Sequence, residues 1–205
     1  VDSYQPKYAV RFNQENDEGL YDAMNKGISM ASGDVVGIIN SDDRYSDPGV
    51  VEAVMHTFEH DAADVTFGNL RYVKLGPDGQ ERVVGVFHPG PYARPKLALG
   101  WTPPHPTFFV RRSLYDRLGA FDLNLPVAAD FDVMLRFLTA QDVRVSYINQ
   151  TLVTMAVGGN SGTIQGRLAG ARDVRQALKN NNVGTFLPLY FALRYARAVL
   201  RRLKR

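Results

Sequence analysis

Two adjacent carboxylates, Asp42 and Asp43, follow a short apolar stretch, VVGIIN at 35–40. Neighbouring carboxylates repel each other, so this arrangement is costly unless a cation lies beside them. Carboxylate oxygens on a loop suit Mg²⁺ or Mn²⁺, which keep coordination positions open for the phosphate oxygens of a substrate. The pair therefore predicts a metal–diphosphate site. A solvated turn that leads into the next helix is the alternative, because Ser-Asp-Asp is also favoured in turns.

The elements around this pair must bring it to the edge of a sheet. Ligands of open α/β sheets bind at the carboxyl ends of the strands, and the run at 35–40 is typical of a buried parallel strand. A helix is predicted over 17–31, because apolar residues recur there at spacings of three and four. Asp47 and Pro48 are predicted to begin a second helix that ends near His60.

The rest of the chain continues the alternation of helices and strands. Further strands are predicted over 63–75, 81–88, 143–149 and 151–159, the first two joined by the turn GPDG. Further helices are predicted over 111–122, 128–141, 163–180 and 186–204. The pattern indicates an α/β protein, and the proline-rich stretch at 88–107 is predicted to be a functional loop.

Composition restricts the class of protein. The 205 residues are 45% hydrophobic and 22% charged, which is typical of a soluble globular domain. The sequence contains no cysteine, which excludes disulfides and thiolate metal sites and fits a reducing cytosol. The net charge of +3 is concentrated in residues 186–205, which hold six Lys and Arg and no acid. The remainder therefore carries about −3, and a nucleic-acid-binding domain is not indicated.

The stretch NDEGLYDAMNKGISMASGDVVGIINSDDRY resembles the family 2 glycosyltransferases of the GT-A fold. Residues 17–43 contain the family's pattern in its usual order: Tyr-Asp-Ala-Met-Asn-Lys-Gly-Ile, then Ala-x-Gly-Asp, an apolar strand and a final (Asn/Asp)-x-Asp-Asp. The later segments HPTFFVRRSLYDRLGAFD, AADFDVMLRF and VGGNS (157–161) are similar to the family's acceptor half. The resemblance covers roughly 8–165 and implies an α/β, Rossmann-like mixed sheet flanked by helices.

Family members begin with a strand, a nucleotide-contacting loop and an Asp-Gly-x-Ser-x-Asp segment upstream of this block. Here no strong strand signal precedes KYAVRFN at 7–13. We therefore expect an N-terminally truncated GT-A domain over 1–165 that lacks its first strands, followed by a helical extension over 166–205.

The resemblance also implies roles for particular residues. Asp42 matches the metal-binding aspartate of the D-x-D motif, with Asp43 beside it, and Asn40 stands where many members have the first aspartate. The implied cation is Mn²⁺ or Mg²⁺. Asp130 matches the catalytic base, which in an inverting transfer takes the proton of the acceptor hydroxyl.

A second implied set faces the nucleotide-sugar donor. Asn25 and Lys26 match the family's polar pair at this position, and Lys26 could place a point charge near the phosphates. Asp22 could orient Lys26 or touch the donor, since the two are four residues apart on one helix.

Four further side chains have both a functional and a structural interpretation. His105, in the loop, resembles a family position near the donor phosphates or acceptor, or is merely exposed. Trp101 could stack on a sugar or pack under the loop. Asp132 and Arg136 are predicted to form a surface ion pair four residues apart.

The C-terminal segment predicts a basic amphipathic helix. One arc of its helical wheel holds Leu189, Ala192, Leu193, Ala196, Val199, Leu200 and Leu203, and the opposite arc holds Arg194, Arg197, Arg201 and Arg205. Such a helix suits the surface of an anionic membrane. A helix docked on the domain with a solvated basic face is the alternative.

These features predict an inverting hexosyltransferase that moves a sugar from a nucleotide-diphosphate donor to a glycan or lipid-linked acceptor. Its expected location is the cytoplasm, at the inner face of the cell membrane. Two alternatives stay open: a non-catalytic domain that binds nucleotide sugar or glycan, and a nucleotidyltransferase, which would release pyrophosphate.

Overall fold

The structure of the chain, a computed structural model, describes residues 10–157 and 164–203. The helices are α1 (Leu20–Met30), α2 (Val50–His60), α3 (Arg112–Leu118), α4 (Ala129–Thr139), α5 (Ile164–Asn180) and α6 (Leu187–Leu203). The strands are β1 (Val35–Gly37), β2 (Asp43–Tyr45), β3 (Val65–Leu75), β4 (Glu81–Phe87), β5 (Phe109–Arg111) and β6 (Val145–Ala156). Most of VGGNS lies outside the described residues. The predicted α/β class is confirmed.

The sheet is mixed, with the strand order β1-β5-β3-β6-β2 and β4 paired to β3. β3 and β6 run parallel at its centre, and the other pairs are antiparallel. The strands over 143–149 and 151–159, predicted separately, form the single strand β6, whose pairing with β3 shifts register near Asn69. This shift lets one continuous strand accommodate the break that the sequence pattern contains.

Two expectations near the acid pair are wrong. The strand at 35–40 is not a buried parallel strand: β1 ends at Gly37 and pairs antiparallel with β5, and Ile39 is exposed. Among the described strands β1 has a neighbour on one side alone, and of its three residues only Val36 is buried. Asp47 does not cap α2; its Oδ1 accepts a hydrogen bond from the Gly49 amide in a turn before the helix begins.

The main core lies around α4. Its predicted inward side chains, Phe131, Met134, Leu135 and Leu138, are all buried. The same cluster includes Val174, Ala177 and Leu178 of α5 and Tyr190 of α6. The C-terminal helices therefore share their core with α4, which fixes α6 close to the residues of the candidate site.

Candidate active site

Asp130 lies in the first turn of α4, where the helix dipole stabilises a negative charge. Its Oδ1 accepts hydrogen bonds from the Tyr21 hydroxyl at 3.1 Å and from the Phe131 amide at 2.7 Å. Burial, and then the charge of Asp130, raise the pKa of Tyr21, so the phenol stays protonated and donates. These two donors fix the orientation of the carboxylate and leave Oδ2 without a hydrogen bond from the described residues.

Two cavities meet at Asp130. We call the cavity of about 330 Å³ that reaches β3, β4 and β6 the sheet-side cavity. The helix-side cavity, of about 470 Å³, lies among α4, α5 and α6. Both are lined by Thr102, Pro103, His105, Asp130 and Arg194. A carboxylate at the junction of two cavities can contact two bound molecules at once.

His105 is half-buried in a short 3₁₀ turn, His105–Thr107, and lies beside Asp130 in both cavities. The edge of its ring meets Phe121, with the ring centroids 5.7 Å apart, and Phe121 stacks on Tyr21 at 5.4 Å. Burial lowers the pKa of His105, against the opposing influence of the Asp130 charge. The imidazole is therefore neutral at pH 7 and can exchange hydrogen bonds with a ligand without adding charge.

The lowered pKa of His105 predicts a pH dependence of stability. Since the unfolded histidine binds a proton more readily than the folded one, stability should decline as the pH falls below 6.5, the ordinary value. His105→Gln should remove this contribution. As the pH is lowered from 7.5 to 5.5, the melting temperature of the wild type should therefore fall more than that of His105→Gln. An equal fall in both proteins would contradict the assignment.

Asp43 is the first residue of β2 and lies opposite Met155 of β6. Directly opposed side chains of antiparallel strands share a face of the sheet, and Met155 lines the sheet-side cavity. The Asp43 Oδ2 accepts a hydrogen bond from Asn40 Nδ2 at 3.0 Å, and the Asp43 amide donates to the Asn40 carbonyl at 3.1 Å. The Asn40 side chain thus holds one oxygen of Asp43 in place.

The other oxygen of Asp43 is an unpartnered acceptor. Its Oδ1 is buried and has no hydrogen bond from the described residues. Burial raises the pKa of Asp43, with Asn40 acting against the shift and the charge of Asp42 adding to it. In the described part of the chain no three His, Cys, Asp or Glu side chains cluster to hold a metal. Asp42, the residue before Asp43, is exposed. The unpartnered oxygen of Asp43, next to this second acid in the sequence, fits Mg²⁺ or Mn²⁺, which take most of their remaining ligands from water and substrate phosphate.

Asn25 and Lys26 are engaged by protein groups. The Asn25 amide donates to the Phe121 carbonyl and accepts from the Phe121 amide, both at 2.9 Å, so it acts on the site through Phe121. Lys26 Nζ lies 2.9–3.3 Å from the carboxylates of Asp22, Asp17 and Glu15. These hydrogen bonds, led by that to Asp22, raise the pKa of Lys26. Three carboxylates therefore neutralise Lys26 in this structure, and its contact with the donor phosphates stays a prediction.

Trp101 follows the packing interpretation. It is 7% exposed, its Nε1 donates to the Pro89 carbonyl at 2.8 Å, and its ring meets the edge of Phe67. A sugar cannot reach the face of a ring enclosed in this way. The indole instead stabilises the loop whose far end carries His105.

The sequence predicted that Asp132 lies on the surface, and this prediction is wrong. Asp132 is 3% exposed; its Oδ2 lies 2.7 Å from Arg136 Nη2, and its Oδ1 accepts from Asn181 at 2.8 Å. Arg136 also donates to the carbonyls of residues 118–120. The predicted ion pair is present. Through it and the hydrogen bonds around it, α4 is connected to the end of α3 and to the segment after α5.

α6 is amphipathic, but Arg194 and Arg197 contact the domain. Arg194 stacks on Phe131, with its guanidinium 5.0 Å from the ring centroid, and Arg197 donates to the Leu99 carbonyl. Leu189, on the apolar arc, is 49% exposed, and Tyr195 is 73% exposed. The solvated basic face is therefore wrong for Arg194 and Arg197, while the side chain of Arg201 and residue 205 lie outside the description.

Sequence reasoning missed Tyr21 and Arg194. The Tyr21 hydroxyl donates a hydrogen bond to Asp130, 109 residues further along the chain, and no local sequence pattern predicts such a contact. Arg194 was placed on the basic arc, opposite the apolar one, and was given no role in the site, because a helical wheel separates two faces without saying which one packs on the protein.

Comparison with known proteins identifies the class of protein to which this fold belongs, the glycosyltransferases. Residues 1–119 match the family model described as glycosyl transferase family 2, and the chain belongs to this family. An uncharacterized glycosyltransferase of Mycobacterium tuberculosis is 33% identical over 161 residues, which cover 76% of this chain. A PGL/p-HBAD biosynthesis glycosyltransferase of Mycobacterium bovis is 25% identical over 154 residues, or 74% of this chain. The chain spans 57–58% of the length of these relatives.

Solved structures establish the fold. The crystal structure of Staphylococcus aureus TarS 1–349 in complex with UDP-GlcNAc superposes with a TM-score of 0.62 at 16% identity, covering 89% of this chain and 52% of that one. The complex of the same protein with UDP gives a TM-score of 0.56 at 18% identity, with the same coverage. The predicted GT-A fold is confirmed.

Proposed function

We propose that the chain transfers a hexose from a nucleotide-diphosphate donor to a hydroxyl of a glycan or glycolipid, with inversion at the anomeric carbon. The observation that carries this proposal is the Asp130 carboxylate, oriented by Tyr21 and by its own helix at the junction of two cavities. The TarS complexes with UDP-GlcNAc and UDP support a nucleotide-sugar donor. The relative named for PGL/p-HBAD biosynthesis supports a glycolipid acceptor.

In this reaction Asp130 accepts the proton of the acceptor hydroxyl as that oxygen bonds to the anomeric carbon. The bond from the anomeric carbon to the β-phosphate oxygen breaks, and its electron pair leaves with the nucleoside diphosphate. Inversion requires the acceptor and the leaving group on opposite sides of the sugar, and the two cavities offer two such approaches. We assign the donor to the sheet-side cavity, because Met155 in its wall lies opposite Asp43, and the acceptor to the helix-side cavity.

Asp42 and Asp43 would hold Mn²⁺ or Mg²⁺, with Asn40 orienting Asp43. When bound, such an ion offsets negative charge on the departing nucleoside diphosphate. Asn40 is neutral and leaves the cation site with two charged ligands rather than three.

The experiment that tests the function is a product assay with UDP-GlcNAc and Mn²⁺, with and without acceptor glycans and glycolipids. Release of UDP that increases with acceptor, and a product of inverted anomeric configuration by NMR, is expected. Release of pyrophosphate would indicate a nucleotidyltransferase instead. Saturable binding of UDP-GlcNAc with no product would indicate a non-catalytic nucleotide-sugar-binding domain.

We further propose that α6 contacts an anionic membrane surface at the inner face of the cell membrane, through its exposed apolar side chains. None of the helices in the described part of the chain is long and apolar enough to cross a membrane. Exposed Leu189 and Tyr195 lie on a helix whose segment carries six cations and no acid. Such a combination favours contact with lipid head groups and the outer acyl region.

The membrane proposal predicts that Leu189→Glu combined with Tyr195→Glu weakens co-sedimentation with phosphatidylglycerol–phosphatidylcholine vesicles by about tenfold or more, since each exposed side chain contributes about 1.5 kcal/mol when buried. Deleting 186–205 is a poor test, because Tyr190 is fully buried in the core. The matched control is Val83→Glu, which changes an equally exposed apolar residue on β4. Equal binding by all three proteins would remove the idea.

A further inference from the structure

α6 brings Arg194 into the candidate active site. The side chain is half-buried and lines both cavities together with Asp130 and His105. Of the described residues that line either cavity, Arg194 is the one with a permanent positive charge. The charge of Arg194 thus lies where the two cavities join, next to the proposed sites of donor and acceptor.

Most of the hydrogen-bonding capacity of Arg194 is unused. Its guanidinium lies 5.0 Å from the Phe131 ring centroid, and its Nη1 donates to the Tyr190 hydroxyl at a long 3.3 Å. The ion pairs found among the described residues do not include Arg194. A guanidinium carries five N–H donors in a planar fork that matches phosphate oxygens. Stacking on Phe131 restricts the plane of this fork and leaves its edge available to a ligand.

The packing of α6 against the loop positions Arg194. Gly100 adopts a φ of +77° at the end of a 3₁₀ turn, Arg94–Leu99. A Cβ atom there would lie 3.0 Å from the Tyr190 carbonyl oxygen and 3.2 Å from the Arg194 Cβ. The glycine thus permits both the left-handed backbone and the close approach of the helix. Arg194 therefore extends from a helix that is docked on the domain through the buried Tyr190 and not from a solvated tail.

The charge of the donor requires such a group. A nucleoside diphosphate leaves with several negative charges, and the Asp42 and Asp43 carboxylates would together offset the charge of a divalent ion that they held. Lys26, the cation expected near the phosphates, is neutralised by three carboxylates. His105 is held neutral by burial. Among the described residues of the two cavities, Arg194 is what remains to compensate the departing phosphate.

We propose that Arg194 binds the β-phosphate of the nucleotide-sugar donor and stabilises the charge that this phosphate gains when the bond to the anomeric carbon breaks. The inference rests on the proposed glycosyl transfer and adds a donor-binding residue from the C-terminal helix. Two parallel N–H···O bonds from the guanidinium to phosphate oxygens are the expected contact.

Binding of nucleotides tests this assignment without turnover. The dissociation constants of UDP, UMP and uridine, with Mn²⁺ present, are to be measured by calorimetry for the wild type, Arg194→Gln and Arg194→Lys. Arg194→Gln should weaken UDP by about tenfold to a hundredfold, because charge-assisted hydrogen bonds are lost, and should leave uridine unchanged. The preference for UDP over UMP should shrink by the same factor. Arg194→Lys should fall between the two, since it keeps the charge and loses the fork.

Arg197→Gln is the matched control. Arg197 lies one turn further along α6 and contacts the Leu99 carbonyl, but it is not among the residues that line either cavity. It should lower the melting temperature without changing the preference for UDP over UMP, whereas a purely structural role of Arg194 would lower the affinity for UMP and UDP alike. An unchanged UDP-to-UMP preference in Arg194→Gln, or a change confined to the KM of the acceptor, overturns the inference. Failure of the wild type to bind UDP at all would overturn the donor assignment itself.

Discussion

Asp130→Asn is expected to lower the rate of sugar transfer by about 10²- to 10⁴-fold, the usual contribution of a general base. The asparagine Oδ1 can still accept hydrogen bonds from Tyr21 and from the Phe131 amide, so the side chain should keep its orientation. An amide cannot take the proton of the acceptor hydroxyl. Transfer rates with saturating donor and acceptor, alongside UDP affinity and melting temperature, separate the loss of chemistry from a loss of binding or fold.

Asp132→Asn is the informative control, because it makes the same chemical change two residues away. Asp132 is 4% exposed at its side chain and pairs with Arg136. Removing its charge should lower the free energy of unfolding by about 1–3 kcal/mol. The transfer rate per folded molecule should stay near that of the wild type. If Asp130→Asn keeps normal turnover, or if Asp132→Asn alone abolishes it, the base has been assigned to the wrong carboxylate.

Asp43→Asn is expected to reduce transfer by about a hundredfold or more, since a bound metal contributes several kcal/mol of charge stabilisation to such a reaction. Binding of Mn²⁺, followed by calorimetry, should be lost in the same variant. The melting temperature without metal should be unchanged or higher. The buried Oδ1 has no partner, and burial raises the pKa of Asp43, so neutralising this side chain removes a desolvation cost.

Asp47→Asn provides the comparison for the metal site. Asp47 is an exposed carboxylate four residues further on, and it contacts the Gly49 amide through an oxygen that asparagine retains. It should bind Mn²⁺ and transfer sugar as the wild type does. Normal Mn²⁺ affinity in Asp43→Asn would show that the unpartnered oxygen is not a metal ligand.

The parts of the fold with a strong local signal could be predicted from the sequence. The 3.6-residue spacing of Phe131, Met134, Leu135 and Leu138 identified α4 and its buried face, and the GPDG turn identified the hairpin of β3 and β4. The short strands β1 and β2 were harder. Their boundaries depend on which strands lie beside them, and this information is not present in an apolar run of six residues.

The site divides in the same way. Asp130, Asp42 and Asp43 belong to motifs whose residues are close in sequence. The contacts of Asp130 with Tyr21, and its shared cavities with His105 and Arg194, join segments between 25 and more than 100 residues apart. Lys26 could be recognised by its motif, but its three carboxylate partners could not, because Glu15 and Asp17 precede α1 in an irregular segment.

Because α6 contributes Arg194 to the lining of both cavities, it has a consequence for the construction of chimeras. A crossover near residue 165 keeps the motifs from Asp42 to Asp130 in one parent and takes α5 and α6 from the other. Such an exchange would replace one side of the helix-side cavity along with Arg194. The chimera should therefore acquire part of the substrate preference of the parent that supplies α5 and α6. We therefore expect that the segments before and after residue 165 do not recombine as independent modules.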